Sequence, residues 1–319
     1  MHNKKKVALI TGVLGQDGYY LSRFLISMNY QIIGTTHRDI NFDDLKNIQN
    51  GIEYIKLDLT NKKNIEQVLI YYKPDEIYNL AARASSSTLN ENPLETIKIN
   101  GMCPLFFVDG MLKFSKLTKF CQISSSEIFA GGIITPQNEN TPFYPINSYG
   151  AAKIYANNII SIYRKNYNLF IANAIMFNHE SERRAVEYVS RKITSTVAKI
   201  YKGYANELIL GSLDSKRDWG YADDYVKGLW LIMQQEEPSD FIFATGILHS
   251  VRDFCEIAFS HVGLNYLNYI KVDKSLIRIE NRIDLVGNSS KLKKIGWDIK
   301  TDFTDMVKKM VDYDLQLLN

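Results

Sequence analysis

Val7-Ala8-Leu9-Ile10-Thr11-Gly12-Val13-Leu14-Gly15-Gln16-Asp17-Gly18 is the stretch that decides the fold. Four apolar residues bounded by turn residues read as a buried strand. Gly12, Gly15 and Gly18 follow at intervals of three, and an amphipathic pattern then runs through Gly18–Met28. A strand, a glycine turn and a helix in that order meet a defined need. The turn must be tight, the backbone must approach a pyrophosphate closely, and the helix must pack close to the strand. The helix N-terminus then offers free N–H groups to an anion. Gly12, Gly15, Gln16, Asp17 and Gly18 are therefore the expected dinucleotide cradle.

Outward from this turn, the first half alternates short apolar runs with longer amphipathic ones. Strands are expected at Gln31–Thr35, Tyr54–Leu57, Glu76–Leu80, Phe120–Ser124 and Leu169–Ile175. Helices are expected at Ile65–Tyr72, Leu94–Phe114 and Asn147–Asn166. This alternation predicts an α/β fold, a Rossmann-type doubly wound parallel sheet. Beyond about residue 177 the pattern becomes irregular, with helices near Tyr188–Tyr201, Asp223–Gln235 and Phe303–Leu317. Phe241–Ala244 reads as a strand that returns to the first sheet. The expected division is a dinucleotide-binding domain over 1–177, with the returning strand near 241–244, and an interleaved, smaller domain, mainly for substrate, over 178–319.

The chain has 319 residues and a net charge of +3, too even a balance for a nucleic-acid-binding surface. Lys4-Lys5-Lys6 reads as a solvated arm. No apolar run reaches the length of a membrane span. Cys103, Cys121 and Cys255 are odd in number and far apart, which excludes a disulfide framework or a CxxC zinc site. A reducing, cytoplasmic setting follows, with no metal, no nucleic acid and no membrane expected as partners.

After the second strand comes Thr35-Thr36-His37-Arg38, without the acid that usually holds the ribose 2′-hydroxyl of NAD. Arg38 suits a 2′-phosphate, so NADP is expected ahead of NAD. Asp58-Leu59, after the third strand, is placed to border the adenine. Tyr149 and Lys153 lie four apart on a predicted helix and so share a face. An ammonium beside a phenol favours phenolate, which would suit Tyr149 as a base. Ser124-Ser125-Ser126-Glu127 ends a strand, where an open parallel sheet meets its ligand. Ser125 offers a hydroxyl, and Glu127 suits proton removal from carbon.

With these residues in view, the chain resembles the extended short-chain dehydrogenases/reductases, and within them the GDP-mannose 4,6-dehydratases. The resemblance spans nearly the whole chain. Its most specific stretches are Phe177-Asn178-His179-Glu180-Ser181, Arg191-Lys192-Ile193-Thr194 and Asp214–Gly220. It implies a cycle in which hydride leaves C4 of a GDP-hexose for NADP, water is lost across C5–C6, and hydride returns to C6. Tyr149 then resembles the base at the 4-hydroxyl and Lys153 its partner. Glu127 resembles the group that takes the C5 proton and protonates the departing 6-hydroxyl. Ser125 stands where the family usually has threonine. Ser126, Asn178, Lys192, Arg217 and Arg278 are similar to positions that hold the nucleotide sugar. A homodimer or homotetramer is implied, with Arg183-Arg184 able to reach a neighbour.

The chain also departs from the family. Arg83-Ala84-Ser85-Ser86-Ser87 replaces the usual Gln-Ser-His-Val, and Glu182 replaces a proline. Small residues at Ser85 and Ser86 suit a larger C2 substituent, so GDP-N-acetylglucosamine or a GDP-heptose is the alternative sugar. A 4-epimerase or 4-ketoreductase would not need Glu127. A non-catalytic NADP sensor would not need the full set of Ser125, Glu127, Tyr149 and Lys153.

Overall fold

The computed structural model describes residues 5–39, 50–84, 92–277 and 283–318. Seven strands form one parallel sheet: β1 Val7–Thr11, β2 Gln31–Thr36, β3 Ile52–Lys56, β4 Glu76–Asn79, β5 Lys119–Ser125, β6 Ile171–Met176 and β10 Asp240–Phe243. Their spatial order is β3-β2-β1-β4-β5-β6-β10. The order reverses at β1, which pairs with β2 on one side and β4 on the other. A crevice opens beyond the carboxyl ends of the strands at such a reversal, and ligands of doubly wound sheets bind there.

Helices cover both faces, so the strands are apolar on both sides. Helices α2 Lys62–Tyr72, α4 Cys103–Phe114 and α5 Ser148–Tyr167 enclose one core with Leu9, Ile77, Phe107 and Phe120. Helices α1 Gln16–Ser27 and α7 Ala222–Met233 close the other face, where Ala8, Leu21, Leu25 and Leu229 are buried. The segment read as one helix over Leu94–Phe114 is divided into α3 Pro93–Ile97, a π turn Lys98–Met102 and α4. Pro104 is the physical reason. It has no N–H to give the preceding turn, and its ring crowds the carbonyl four residues back.

Strand β10 returns the chain to the edge of the large sheet, parallel to β6. Around it lies the second region. Strand β9 Lys216–Tyr221 is central, with β11 Leu248–Ser250 antiparallel on one side and β7 Asn178–Glu180 parallel on the other. Strands β8 Leu208–Leu210 and β12 Ile270–Val272 form a separate parallel pair. Helices α6 Val189–Tyr201, α8 Val251–His261 and α10 Phe303–Gln316 pack together over this region, and α9 Ser290–Lys294 packs beside β10. The short strands and α8 escaped the sequence reading. Three residues are too few to show a period, and Lys216-Arg217-Asp218 looks like a polar loop.

Candidate active site

The crevice holds a cavity of about 690 Å³. Four chain segments wall it, each leaving the carboxyl end of a strand. They are Leu14–Asp17 after β1, residues 82–84 after β4, Ser124–Glu127 at β5, and residues 176–179 at β6 and β7. Helix α5 adds Tyr149 and Lys153, Arg38 enters from beyond β2, and the segment from Arg183 to Tyr188 adds a further wall.

The glycine loop is built by steric need. Gly12 sits at φ +67°, where a Cβ would lie 3.0 Å from the Ala81 Cα. A Cβ on Gly18 would come within 2.5 Å of the Val13 carbonyl oxygen. Gly15 caps α1, so the first N–H groups of that helix open toward the cavity. This cradle fits a dinucleotide pyrophosphate. The Gln16 and Asp17 side chains turn elsewhere. Gln16 Nε2 donates to the His179 carbonyl at 3.0 Å, and Ser181 donates to Gln16 Oε1 at 2.8 Å. Asp17 meets His179 Nε2 at 3.0 Å.

His179 is held between two acceptors, since its Nδ1 lies 2.9 Å from the Phe177 carbonyl. Burial alone would push its pKa down, but the Asp17 carboxylate overrides this and holds it above the ordinary value. Burial likewise works to raise Asp17, and the His179 charge and hydrogen bond hold it below the usual carboxylate range.

At the end of β5, the Ser125 hydroxyl accepts from the Glu127 backbone N–H at 3.3 Å and is hydrogen-bonded to Tyr149. Asn147 Nδ2 donates to Glu127 Oε2 at 2.8 Å, while its Oδ1 caps α5 by accepting from the Gly150 N–H at 2.8 Å. Asn147 thus fixes the carboxylate relative to the helix that carries Tyr149 and Lys153. The sequence signal for it was an asparagine three residues before Gly150, an ordinary N-cap pattern.

Lys153 meets Tyr149 across the face of the ring. Its Nζ donates to the Ile123 carbonyl at 2.7 Å and lies 5.6 Å from the centroid of the Tyr149 ring. Burial lowers Lys153 to about 8. Burial also pushes Tyr149 well up, against the Ser125 hydrogen bond and the nearby charge of Arg184. The lowered phenol expected from the Tyr-x-x-x-Lys spacing is therefore not found, because desolvation outweighs the neighbouring charges.

Arg184 pairs with Glu180 of its own chain at 3.2 Å. It also stacks 3.8 Å over the Tyr188 ring and lines the cavity of its own chain. Arg183 lies 3.9 Å over Tyr19, and Tyr188 donates to the Ala84 carbonyl at 2.7 Å. Glu182 accepts from both Tyr20 and Tyr221, tying this segment to α1 and β9. Arg38, Arg83, Lys153, Arg183 and Arg184 all line the cavity, a cationic wall suited to nucleotide phosphates.

Other sequence candidates lie apart. Asp58 accepts from Thr60 in a turn before α2, and neither it nor Leu59 lines the cavity. Lys192 is half-buried on α6, and Arg217 is half-buried on β9. Arg217 stands two residues before Trp219, the register partner of the cavity-lining Asn178. Neither cation lines the cavity itself. Ser126 and Asn178 do. Ser85 and Arg278 fall outside the described residues. Among the described residues no cluster of His, Cys, Asp and Glu is arranged to hold a metal.

The family profile described as GDP-mannose 4,6 dehydratase matches residues 9–310 of this sequence. The chain belongs to the GDP-mannose 4,6-dehydratase family. The Homo sapiens GDP-mannose 4,6 dehydratase is 38% identical, over 100% of this chain and 94% of that protein. GDP-mannose 4,6-dehydratase from Vibrio cholerae is 36% identical, over 98% of this chain and 95% of that one. Among solved structures, a Thermotoga maritima UDP-glucose 4-epimerase superposes with a TM-score of 0.86 at 21% identity, covering 98% of this chain and 100% of that chain. A Bacillus anthracis dTDP-glucose 4,6-dehydratase superposes at 0.83 and 19% identity, covering 97% and 96%. At those identities the superpositions establish the shared fold. In this member of the family Ser125, Glu127, Tyr149 and Lys153 line one cavity.

Proposed function

We propose that this protein removes water from a GDP-linked hexose, with GDP-mannose as its substrate, and releases the GDP-4-keto-6-deoxy sugar. NADP is its cofactor. Gly12, Gly15 and Gly18, the start of α1 and Arg38 would hold that dinucleotide. When bound, it supplies reversible hydride uptake at the sugar. Lys153 would hold the nicotinamide ribose. Tyr149 takes the proton of the 4-hydroxyl, with Ser125 and the Arg184 charge favouring the phenolate against burial. Glu127 takes the C5 proton and hands a proton to the departing 6-hydroxyl. Asn147 steadies it through both steps. The cationic wall of Arg83, Arg183 and Arg184, with Asn178, would hold the nucleotide diphosphate. The net reaction is an elimination, so the enzyme is a hydro-lyase.

The observation that carries this reading is Glu127 placed beside Ser125 and Tyr149 at one strand end. A 4-epimerase has no use for a carboxylate held there. We also assign residues 1–177, with the returning strand near 241–244, to the cofactor-binding part, and most of 178–319 to the substrate. All three cysteines are buried and free, which suits a cytoplasmic enzyme. No helix among the described residues is long and apolar enough to cross a membrane. Leu94 on α3 and Ile162 on α5 are exposed, and we assign these neighbouring helices to a homodimer or homotetramer contact.

The test is Glu127→Gln on the NADP-loaded enzyme with GDP-mannose. Turnover is expected to fall about 10²–10⁴-fold, the usual contribution of a general acid–base group. The oxidation step survives, so NADPH absorbance builds up on the enzyme. Tyr149→Phe loses that absorbance as well. Loss of both steps together in Glu127→Gln would overturn the assignment. Product mass spectra from GDP-mannose, GDP-N-acetylglucosamine and a GDP-heptose decide the sugar.

A further inference from the structure

Behind the cavity, the middle of the large sheet carries side chains that a strand buried on both faces does not normally hold. Thr11, Asn79, Gln122 and Asn173 are each no more than 1% exposed. They are register neighbours on β1, β4, β5 and β6: Thr11 faces Asn79, Asn79 faces Gln122, and Gln122 faces Asn173. Three of them form a continuous hydrogen-bonded line. The Ala81 N–H donates to the Thr11 hydroxyl at 3.0 Å, and that hydroxyl donates to Asn79 Oδ1 at 2.7 Å. Asn79 Nδ2 donates to Gln122 Oε1 at 2.7 Å, and Gln122 Nε2 donates to the Ile123 carbonyl at 2.7 Å. That carbonyl is the one that accepts from Lys153 Nζ.

Each amide in this line gives a bond through its nitrogen and accepts one through its oxygen, and Asn79 Oδ1 also takes the Cys103 Sγ at 4.0 Å. The line starts at the residue before Gly12 and ends at the ammonium beside Tyr149. We propose that Gln122 is a positioning residue of the reaction: it fixes the Ile123 carbonyl, and through it the Lys153 ammonium, relative to the glycine loop. This rests on the reading that Lys153 works beside Tyr149.

The physical argument has two parts. A carbonyl has two lone pairs, and here two donors occupy them and fix its direction. Removing the Gln122 amide frees the carbonyl to swing, and the Lys153 ammonium moves off its place with it. The amide hydrogens also carry partial positive charge close to the ammonium. They share the carbonyl's negative end with it, which weakens its hold on a charged lysine. The titratable groups that face the Lys153 nitrogen are the Cys103 thiol from α4 and Tyr149 one turn earlier on its own helix. Ser125 and Glu127, from the end of β5, face Tyr149. Gln122 bonds none of these groups directly: its direct link to Lys153 is the Ile123 carbonyl, and Asn79, which also meets the Cys103 thiol at 4.0 Å, is a longer second link.

The experiment compares Gln122→Met, which keeps length without hydrogen bonds, with Gln122→Glu, which keeps an acceptor for Asn79 but brings a negative charge. Full-length enzyme with NADP and GDP-mannose gives kcat, KM and the alkaline limit of kcat. Independently of turnover, the NMR titration of labelled Lys153 Cε, assigned by its loss in Lys153→Met, gives the protonation midpoint. Gln122→Met is expected to lower kcat about ten- to a hundredfold with little change in KM, as a misplaced group does. Both variants move the Lys153 midpoint upward, Glu further than Met. A purely structural role would lower melting temperature and leave the midpoint and alkaline limit in place, which overturns the proposal. If Gln122→Met does not fold, Gln122→Glu carries the same comparison. If Lys153→Met itself keeps wild-type turnover, the reading of Lys153 fails. If Lys153→Met is inactive while both Gln122 variants match wild type in kcat and midpoint, only the role of Gln122 fails.

Discussion

The two sides of the cavity are made of different material. On the β1 side the protein presents backbone, with glycines where a Cβ has no room and a helix start with open N–H groups. On the β7 side it presents side chains: Asn178, Arg183, Arg184 and Tyr188. Those side chains are held by partners far away in sequence, such as Ala84 for Tyr188 and Tyr20 for Glu182. A backbone site is specified locally and tolerates no added atom. A side-chain site is specified by tertiary contacts and loses function gradually.

The sharpest way to break this comparison is Gly18→Val. The added carbons meet the Val13 and Gly12 carbonyls of the backbone, which cannot move aside without opening the turn. Overpacking of this kind costs about 1–3 kcal/mol. The larger effect is on the cradle, so NADP binding, followed by fluorescence titration, is expected to disappear. A variant that melts lower but binds NADP with wild-type affinity would show that backbone approach at this turn is not what the cofactor uses.

The same contrast explains what the sequence disclosed. The glycine spacing, the Tyr149–Lys153 spacing and the alternation of strands with helices are local patterns, and the large sheet follows them closely, including the strand near 241–244. Ser125 and Glu127 were legible because they end an apolar run. Arg184 was not legible as a wall of the cavity. Its place depends on Glu180, Tyr188 and the fold of a six-residue segment, none of which has a period. The π turn at Lys98–Met102 depends on Pro104 breaking an otherwise regular helical pattern. Burial works to raise Tyr149, an effect the spacing does not report, because spacing gives proximity along a helix and says nothing about desolvation.

Asn147 stands between the two kinds of site, since one atom caps a helix and the other holds the Glu127 carboxylate, for which we propose the acid–base role. Substitution can separate these roles. Asn147→Asp keeps the cap acceptor but sets a second carboxylate against Glu127. Its melting temperature is expected to stay near wild type while turnover falls roughly tenfold, at the low end of what acid–base positioning contributes. Asn147→Ala loses the cap as well, at about 1 kcal/mol. Equal turnover in the aspartate variant and wild type would mean that Glu127 needs no anchor.

The smallest effect probes the seam between the two sides, where Asp17 of α1 meets His179 of β7. With the ring protonated, Nδ1 donates to the Phe177 carbonyl and Nε2 donates to Asp17. Once the ring loses a proton, one of its two nitrogens turns a lone pair toward an oxygen acceptor, whichever tautomer forms. His179 is held above its ordinary 6.5, with Arg184 working against the shift, so its contribution is complete below about 6.5 and fades as pH rises through the raised value. Asp17 is held below 3.8, so its share is present above that pH and fades only as pH falls through the lowered value. The pair is therefore strongest between those limits. His179→Gln replaces the charged contact with a neutral amide that does not titrate. The stability gap between wild type and this variant, read by urea denaturation, is expected to be widest near pH 5–6 and to shrink above neutrality by on the order of 1 kcal/mol. The stacking of His179 on Tyr225, at 5.0 Å between ring centroids, is lost at every pH and only offsets the curve. A gap that stays constant from pH 5 to pH 9 would show that the two sides are joined here by packing alone, with no help from charge.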